Sequence, residues 1–165
     1  MRRMAAQKQD VVPQLGEIFR RYGYDGASIG LIVKETELGR SSLYHFFPGG
    51  KEDMARAVLD HVDDWFEINV FTPLETDAPD VALRHMYESV TAYFRTGRRI
   101  CIVGAFALDA TRNPFAQQVE GYFRRWITAL ETCLLRKGYS PDRSKLAATQ
   151  VVAIIQGAIV LSRAT

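Results

Sequence analysis

Residues 28–51 read SIGLIVKETELGRSSLYHFFPGGK. Ser28 is a good N-cap for a short helix over Ile29–Thr36. Leu38-Gly39 reads as a tight turn, and a second short helix, Arg40–Phe46, must end before Pro48-Gly49-Gly50. Two short helices joined by a tight turn make a helix-turn-helix, whose second helix enters the major groove of DNA. Ile29, Ile32, Val33, Leu38 and Leu43 can form its small hydrophobic centre, which leaves Arg40, Ser41, Ser42, Tyr44 and His45 to project. All five can donate hydrogen bonds, and the Arg40 fork can pair with a guanine edge or a phosphate. No acid lies between Arg40 and Lys51, as a surface meeting phosphates requires. Taken singly, each residue has a plainer reading: Tyr44 as an aromatic sealing the head to the next helix, His45 as merely exposed, Arg40 and Lys51 as solvated charges. Order and spacing together favour DNA.

On the N-terminal side, Val11, Leu15, Ile18, Phe19 and Tyr22 recur at helical spacing before Gly23 and Gly26. On the C-terminal side a long helix starts near Lys51, with Glu52 and Asp53 complementing its dipole. Met54, Val58, Val62, Trp65, Phe66 and Asn69 follow one face of it, and Pro73 is expected to close it. Asp77 can cap a helix carrying Leu83, Met86, Tyr87, Val90 and Phe94. Arg98 to Cys101 links to a shorter apolar helix over Ile102 to Ala110. Asn113-Pro114 reads as a cap and first-turn proline for a helix carrying Phe115, Val119, Tyr122, Phe123, Trp126, Ile127, Leu130 and Leu134, stopped at Gly138. Ser140-Pro141 opens the last helix. No segment alternates with a period of two, so the expected fold is all-α. Residues 1–51 would form the helix-turn-helix domain, joined by a long helix to a helical body over residues 52–165.

The net charge of +2 decides little, but its distribution is uneven. Residues 1–51 carry eight Lys/Arg and five Asp/Glu, whereas residues 52–165 carry thirteen and fourteen. The basic excess therefore sits in the head, where a polyanion would be met. Cys101 and Cys133 form no CxxC and have no histidine at ligand spacing, so two buried thiols in a reducing cytosol are expected. Met1 to Asp10 has no apolar signal region, and Val151 to Leu161 is interrupted by Gln156 and short of the ~20 residues that span a bilayer. A soluble, cytoplasmic protein without membrane partners is the expectation. No nucleophile elbow, P-loop, dinucleotide fingerprint or metal spacing occurs. His61 with Asp64, and His85 with Glu88, are two-residue pairs and make no site. No enzyme, cofactor or metal is implied.

The helix-turn-helix segment resembles the DNA-binding head of TetR-family regulators. The resemblance rests on Gly23 within Tyr22-Gly23-Tyr24, Ser28, Gly39, Leu43-Tyr44-His45-Phe46-Phe47 and Lys51-Glu52. It implies that Tyr44 and His45 touch phosphate or groove edges, that Lys51 binds backbone phosphate, and that Arg40 and Ser42 lie nearest the bases. Ser28 stands where Thr is commoner, Gly30-Leu31 replaces a small apolar pair, and Pro48-Gly49-Gly50 is one residue longer than the usual loop. That loop, with CIVGAFALDAT over Cys101 to Thr111, resembles the LmrA/YxaF-like branch.

Trp65, Phe66, Met86, Tyr87, Phe94, Phe106, Tyr122, Phe123 and Trp126 either pack solid or surround a cavity. The resemblance implies a cavity for a small, largely apolar inducer, with Arg95, Asp109 and Asn113 as polar candidates. It also implies a repressor released from a palindromic double-stranded operator by that ligand. In the last helix, Val151, Val152, Ile154, Ile155, Ala158, Ile159 and Leu161 are apolar nearly all round. One side can face the chain's own core and the other a symmetry mate, giving a homodimer through the C-terminal helices; the alternative is a central helix in a monomer. No stop signal precedes Thr165, so the helix is free to continue. A rival reading is a helical dimeric interaction module with a non-functional DNA-binding head. Retention of Arg40, Tyr44 and Lys51 without an acid among them argues against it.

Overall fold

In the computed structural model, which describes residues 7–108 and 114–165, the first helix, α1 (Lys8–Gly26), buries Val11, Val12, Leu15, Ile18 and Phe19 along one side. Gly23 bends its end, because its φ of 70° lies in the left-handed region. The bend turns Tyr24 inward. Helices α2 (Ile29–Thr36) and α3 (Arg40–Phe46) follow as the sequence predicts. Ser28 caps α2 by accepting a hydrogen bond from the Leu31 amide at 3.2 Å. The turn between α2 and α3 differs from expectation in one respect. Its left-handed residue is Glu37, with φ 55°, whereas Gly39 is extended and serves as the N-cap of α3. Ile32, Leu43 and Phe47 are completely buried, with Ile29, Val33 and Leu38 packed around them.

Helix α4 (Lys51–Phe66) packs its Met54, Ala55, Val58, Leu59 and Val62 face toward α1 and the body. It does not stop at Pro73, as the sequence suggested. A π-helical turn over Glu67–Phe71 leads directly into α5 (Thr72–Thr76), with Pro73 in the first turn of α5. A proline there removes the amide that would bond the Asn69 carbonyl, and its ring crowds that carbonyl. The wider turn absorbs both effects: the Thr72 amide reaches back to Glu67 O. The Asn69 side chain donates to Trp65 O at 2.7 Å.

Helix α6 (Pro79–Tyr93) begins at Ala78 with Pro79 in its first turn. Asp77 therefore does not cap α6; it ends α5, where its carbonyl, with those of Leu74, Glu75 and Thr76, accepts from Arg136. Helix α7 (Ile102–Ala107) ends at Leu108. The expected extension to Ala110 and the Asn113-Pro114 cap fall partly outside the described residues. Helices α8 (Ala116–Arg136) and α9 (Pro141–Ala164) form an antiparallel pair, separated by Gly138 at φ 97°. The described residues contain no strand. Both cysteines are free and buried.

Several contacts seat the head on the body. Tyr24 stacks against Phe19, Phe106 and Phe115 at 6.0, 5.8 and 5.1 Å. On another side, Arg20 of α1 donates to the Tyr93 hydroxyl of α6 at 3.1 Å. Among the described residues, helix α9 is covered on one side only. Ser144, Ala148, Val152 and Ile159 are buried, while Leu146, Ile154, Val160 and Leu161 are 60–68% exposed. With 24 residues, α9 is long and apolar enough, by length and composition, to cross a membrane, where Val151 to Leu161 alone looked too short.

Candidate nucleic-acid interface and ligand site

Helix α3 has seven residues, and its periodicity sorts them cleanly. Leu43 points into the head and is completely buried. Arg40, Ser41, Tyr44 and His45, which recur at i+3 and i+4 spacing, are exposed together, and Ser42 is half-buried at the edge. Ser28 is exposed at the adjoining N-terminus of α2. Its oxygen accepts from Leu31, and its proton stays available to donate.

Tyr44 is 46% exposed, and its ring lies against Gly50. A Cβ at Gly50 would come within 3.5 Å of that ring, and Gly50 also has φ 69°. The ring rests on the start of α4 while its edge stays in solvent. Gly49 donates its amide to Asp53 at 2.5 Å, which ties the loop to the first turn of α4.

Lys51 is placed differently from the other six. Its ammonium donates to Tyr24 O at 2.8 Å and lies 4.3 Å above the Tyr24 ring. It links α4 to the bend in α1, and only its remaining hydrogens are free for a phosphate. Burial raises the Tyr24 phenol above its ordinary value. Tyr24 itself was not singled out from the sequence; the tyrosine after the bending glycine was the available signal.

Of the aromatic set in the body, Phe66 is the hub. Its ring meets those of Trp65, Tyr93, Phe94, Tyr122 and Trp126 at 5.0–6.1 Å. Phe123 stacks on Tyr122 at 5.1 Å, and Phe106 belongs to the separate Tyr24 stack. These rings pack against one another, yet two donors within them have no partner among the described residues: the buried Tyr122 hydroxyl and the Trp126 indole N–H. Burial pushes the Tyr122 phenol well above its usual range. Tyr122 borders a cavity of about 130 Å³ between α4 and α8, with Asp60, Asp63 and Gln118. Burial, followed by the nearby Glu67, Asp64 and Asp60 carboxylates, raises the Asp63 carboxyl. Met86, Tyr87 and Phe94 line a second, apolar groove of about 430 Å³ between α6 and α9. Tyr87 is exposed there, and Arg95 lies at another surface. Asp109 and Asn113 lie outside the described residues.

The arrangement can be set against known proteins. Residues 79–165 match the C-terminal domain of LmrA/YxaF-like transcriptional regulators, and residues 17–58 match the tetR family of bacterial regulatory proteins. The chain belongs to the TetR family, in its LmrA/YxaF-like branch. The HTH-type transcriptional regulator LmrA of Bacillus subtilis is 27% identical over 161 residues, 94% of this chain and 85% of that protein. YxaF of the same organism is 24% identical, covering 94% and 84%. Among solved structures, a TetR regulator from Legionella pneumophila superposes with a TM-score of 0.84 at 20% identity, covering 98% of this chain and 89% of that one. One from Rhodobacter sphaeroides gives 0.78 at 21%, covering 93% and 87%. This TetR-family chain is a transcriptional regulator with a helix-turn-helix DNA-binding head. Its relatives are regulators rather than enzymes.

Proposed function

We propose that this TetR-family chain is a dimeric repressor that holds a two-half-site operator and is released by a small, largely apolar ligand. The observation that carries this reading is the exposed, acid-free face of α3, with Arg40, Ser41, Tyr44 and His45 projecting together. Arg40 and Ser42 lie nearest the bases; Ser28, Tyr44, His45 and the remaining hydrogens of Lys51 serve phosphates. TetR-family regulators bind operators as dimers, which supports paired heads on half-sites about 34–36 Å apart or a multiple of that.

The ligand reading draws on the two orphaned donors. A buried hydroxyl and indole N–H without acceptors are costly, and a ligand entering beside Tyr122 and Trp126 would satisfy them. Trp65, Phe66, Phe94 and Phe123 would supply its apolar walls. Such a ligand would press on Trp65 and Phe66 at the end of α4. The 16 residues of α4 span about 24 Å, so a tilt of roughly 5° moves the far end by about 2 Å. The ligand shifts the heads only as far as it prefers the displaced state.

The test is fluorescence anisotropy with a duplex from upstream of the gene, an unrelated competitor duplex and a salt series. Wild type should resist competitor and weaken steeply with salt, and Arg40→Ala and Tyr44→Ala should each lose about tenfold or more. Equal, weak binding to both duplexes that ignores these substitutions, on further genomic fragments as well, would overturn the reading in favour of an interaction module.

A further inference from the structure

On the face of the molecule where α1 meets the body, six guanidinium groups surround one carboxylate. Arg20 and Arg21 come from α1, Arg95, Arg98 and Arg99 from the link between α6 and α7, and Arg163 from α9. With Glu17 they line a cavity of about 370 Å³. Glu17 is the only acid among the described lining residues, and it is already engaged. Its Oε1 accepts from Arg20 at 3.0 Å and from Arg99 at 2.7 and 3.1 Å. The remaining donors of Arg20 reach Tyr93 and the Ile100 carbonyl. Arg95, Arg98 and Arg163 have no acid partner among the described residues. Arg98 and Arg163 are held instead by backbone carbonyls, those of Arg95 and Arg98, at 3.4 and 3.2 Å.

The backbone that assembles this cluster is unusual. Arg95, Thr96 and Gly97 are three successive residues with φ of 50°, 56° and 85°. Non-glycine residues seldom adopt that conformation, and two in a row store strain. Gly97 cannot carry a side chain, because a Cβ there would overlap Ser162 of α9. The link is thus seated on α9 with its arginines gathered on one side. Burial, and then the neighbouring Arg99 charge, lower the pKa of Arg20 from its ordinary value.

We propose that this cleft is a binding site for a small oxyanion carrying at least two negative charges, a phosphate ester or a di- or tricarboxylate, held between head and body. Guanidinium forks pair bidentately with such oxygens, and a concave cationic wall concentrates them. The site is separate from the cavity beside Tyr122. Because its arginines come from α1, the α6–α7 link and α9, a bound anion cross-links the head to the body in the orientation seen here.

Anion binding is measured without DNA, so that its result does not depend on the operator reading, and DNA affinity of the variants is recorded separately. Inorganic pyrophosphate and citrate are titrated into the full chain by calorimetry, against chloride at matched ionic strength, with unfolding midpoints recorded in parallel. Wild type should bind at least one of these anions once per chain, and saturation should raise the midpoint by about 3 °C. Arg98→Gln/Arg163→Gln should weaken binding about tenfold or more. Arg95→Asn, which tolerates the same backbone conformation, should weaken it independently. Arg84→Gln/Arg143→Gln, which removes equal charge elsewhere, should leave it unchanged. Absence of binding by wild type at millimolar concentrations of both anions overturns the proposal, as does equal weakening in the Arg84/Arg143 control. A cluster variant that keeps anion binding but loses affinity for DNA overturns it too, by making the cluster a DNA-backbone contact.

Discussion

Gly49 shows how tightly single residues fix the recognition helix. A methyl group at this position would lie 2.5–2.7 Å from the Asp53 carboxylate, which accepts the Gly49 amide. Replacing glycine by alanine in a tolerant loop usually stabilises by about 0.4–1 kcal/mol, through the unfolded chain. Here the carboxylate must swing away and the charged hydrogen bond is lost. Gly49→Ala should therefore destabilise by about 1 kcal/mol in urea denaturation. In an Asp53→Ala background the same change should be neutral or slightly stabilising, because nothing is left to collide with. An equal cost in both backgrounds would place the strain in the backbone instead. Tyr24 is a second such residue. Its carbonyl and ring together hold Lys51, and its other contacts tie the head to Phe106 and Phe115. A rigid platform under α3 would, on the proposed function, let Arg40 and Tyr44 meet DNA in a fixed register.

Among the elements, the π-helical turn after α4 is held by Arg125 of α8. One guanidinium bonds Glu67 at 2.6 and 2.9 Å and Glu75 at 2.6 and 3.0 Å. The hydrogen bond from Arg125 is the main reason the Glu67 carboxyl sits below its ordinary 4.5. A depressed carboxyl stabilises the fold above that ordinary value and loses its contribution as pH falls through the folded one. Arg125→Met should cost about 1–2 kcal/mol at pH 7, modest because the pair is part-exposed. Chemical denaturation from about pH 6 to about pH 3 should show the gap to wild type closing; a pH-independent gap would mean that packing, not charge, holds the turn. This element also marks where the sequence stopped being legible. The bounds of α2 and α3 and the start of α4 were readable because Ser28, Arg40 and Pro48-Gly49-Gly50 act locally. Pro73 misled because its cost is absorbed by a wider, π-helical turn that no residue pattern announces. The exposed face of α3 followed from period alone, whereas the inward seat of Lys51 depended on a tyrosine 27 residues earlier. The arginine cleft was not read as a site, because it is gathered from residues 17–21, 95–99 and 163.

At the scale of the whole molecule, α9 poses the remaining physical problem. Four large apolar side chains on it, Leu146, Ile154, Val160 and Leu161, are each at least 60% exposed. Contiguous exposure of this kind marks an interaction surface. Helix α8 covers one side of α9, and the exposed side suits the same surface of a second chain about a two-fold axis. The alternative occupant is a bilayer, which α9 also fits by length and composition. The two separate cleanly. Sedimentation velocity at micromolar concentration should give a dimer for wild type, and Ile154→Glu/Leu161→Glu should give a monomer with unchanged helical circular dichroism. The variant should also lose most operator affinity, because two heads joined through the body bind with a high effective concentration that separate heads lack. Its salt slope should fall toward half, since each lone head contacts half the phosphates. A wild-type monomer that floats with lipid vesicles would assign α9 to the membrane. A variant that remains dimeric would move the interface to the apolar groove between α6 and α9, where Tyr87 would be the residue to change next.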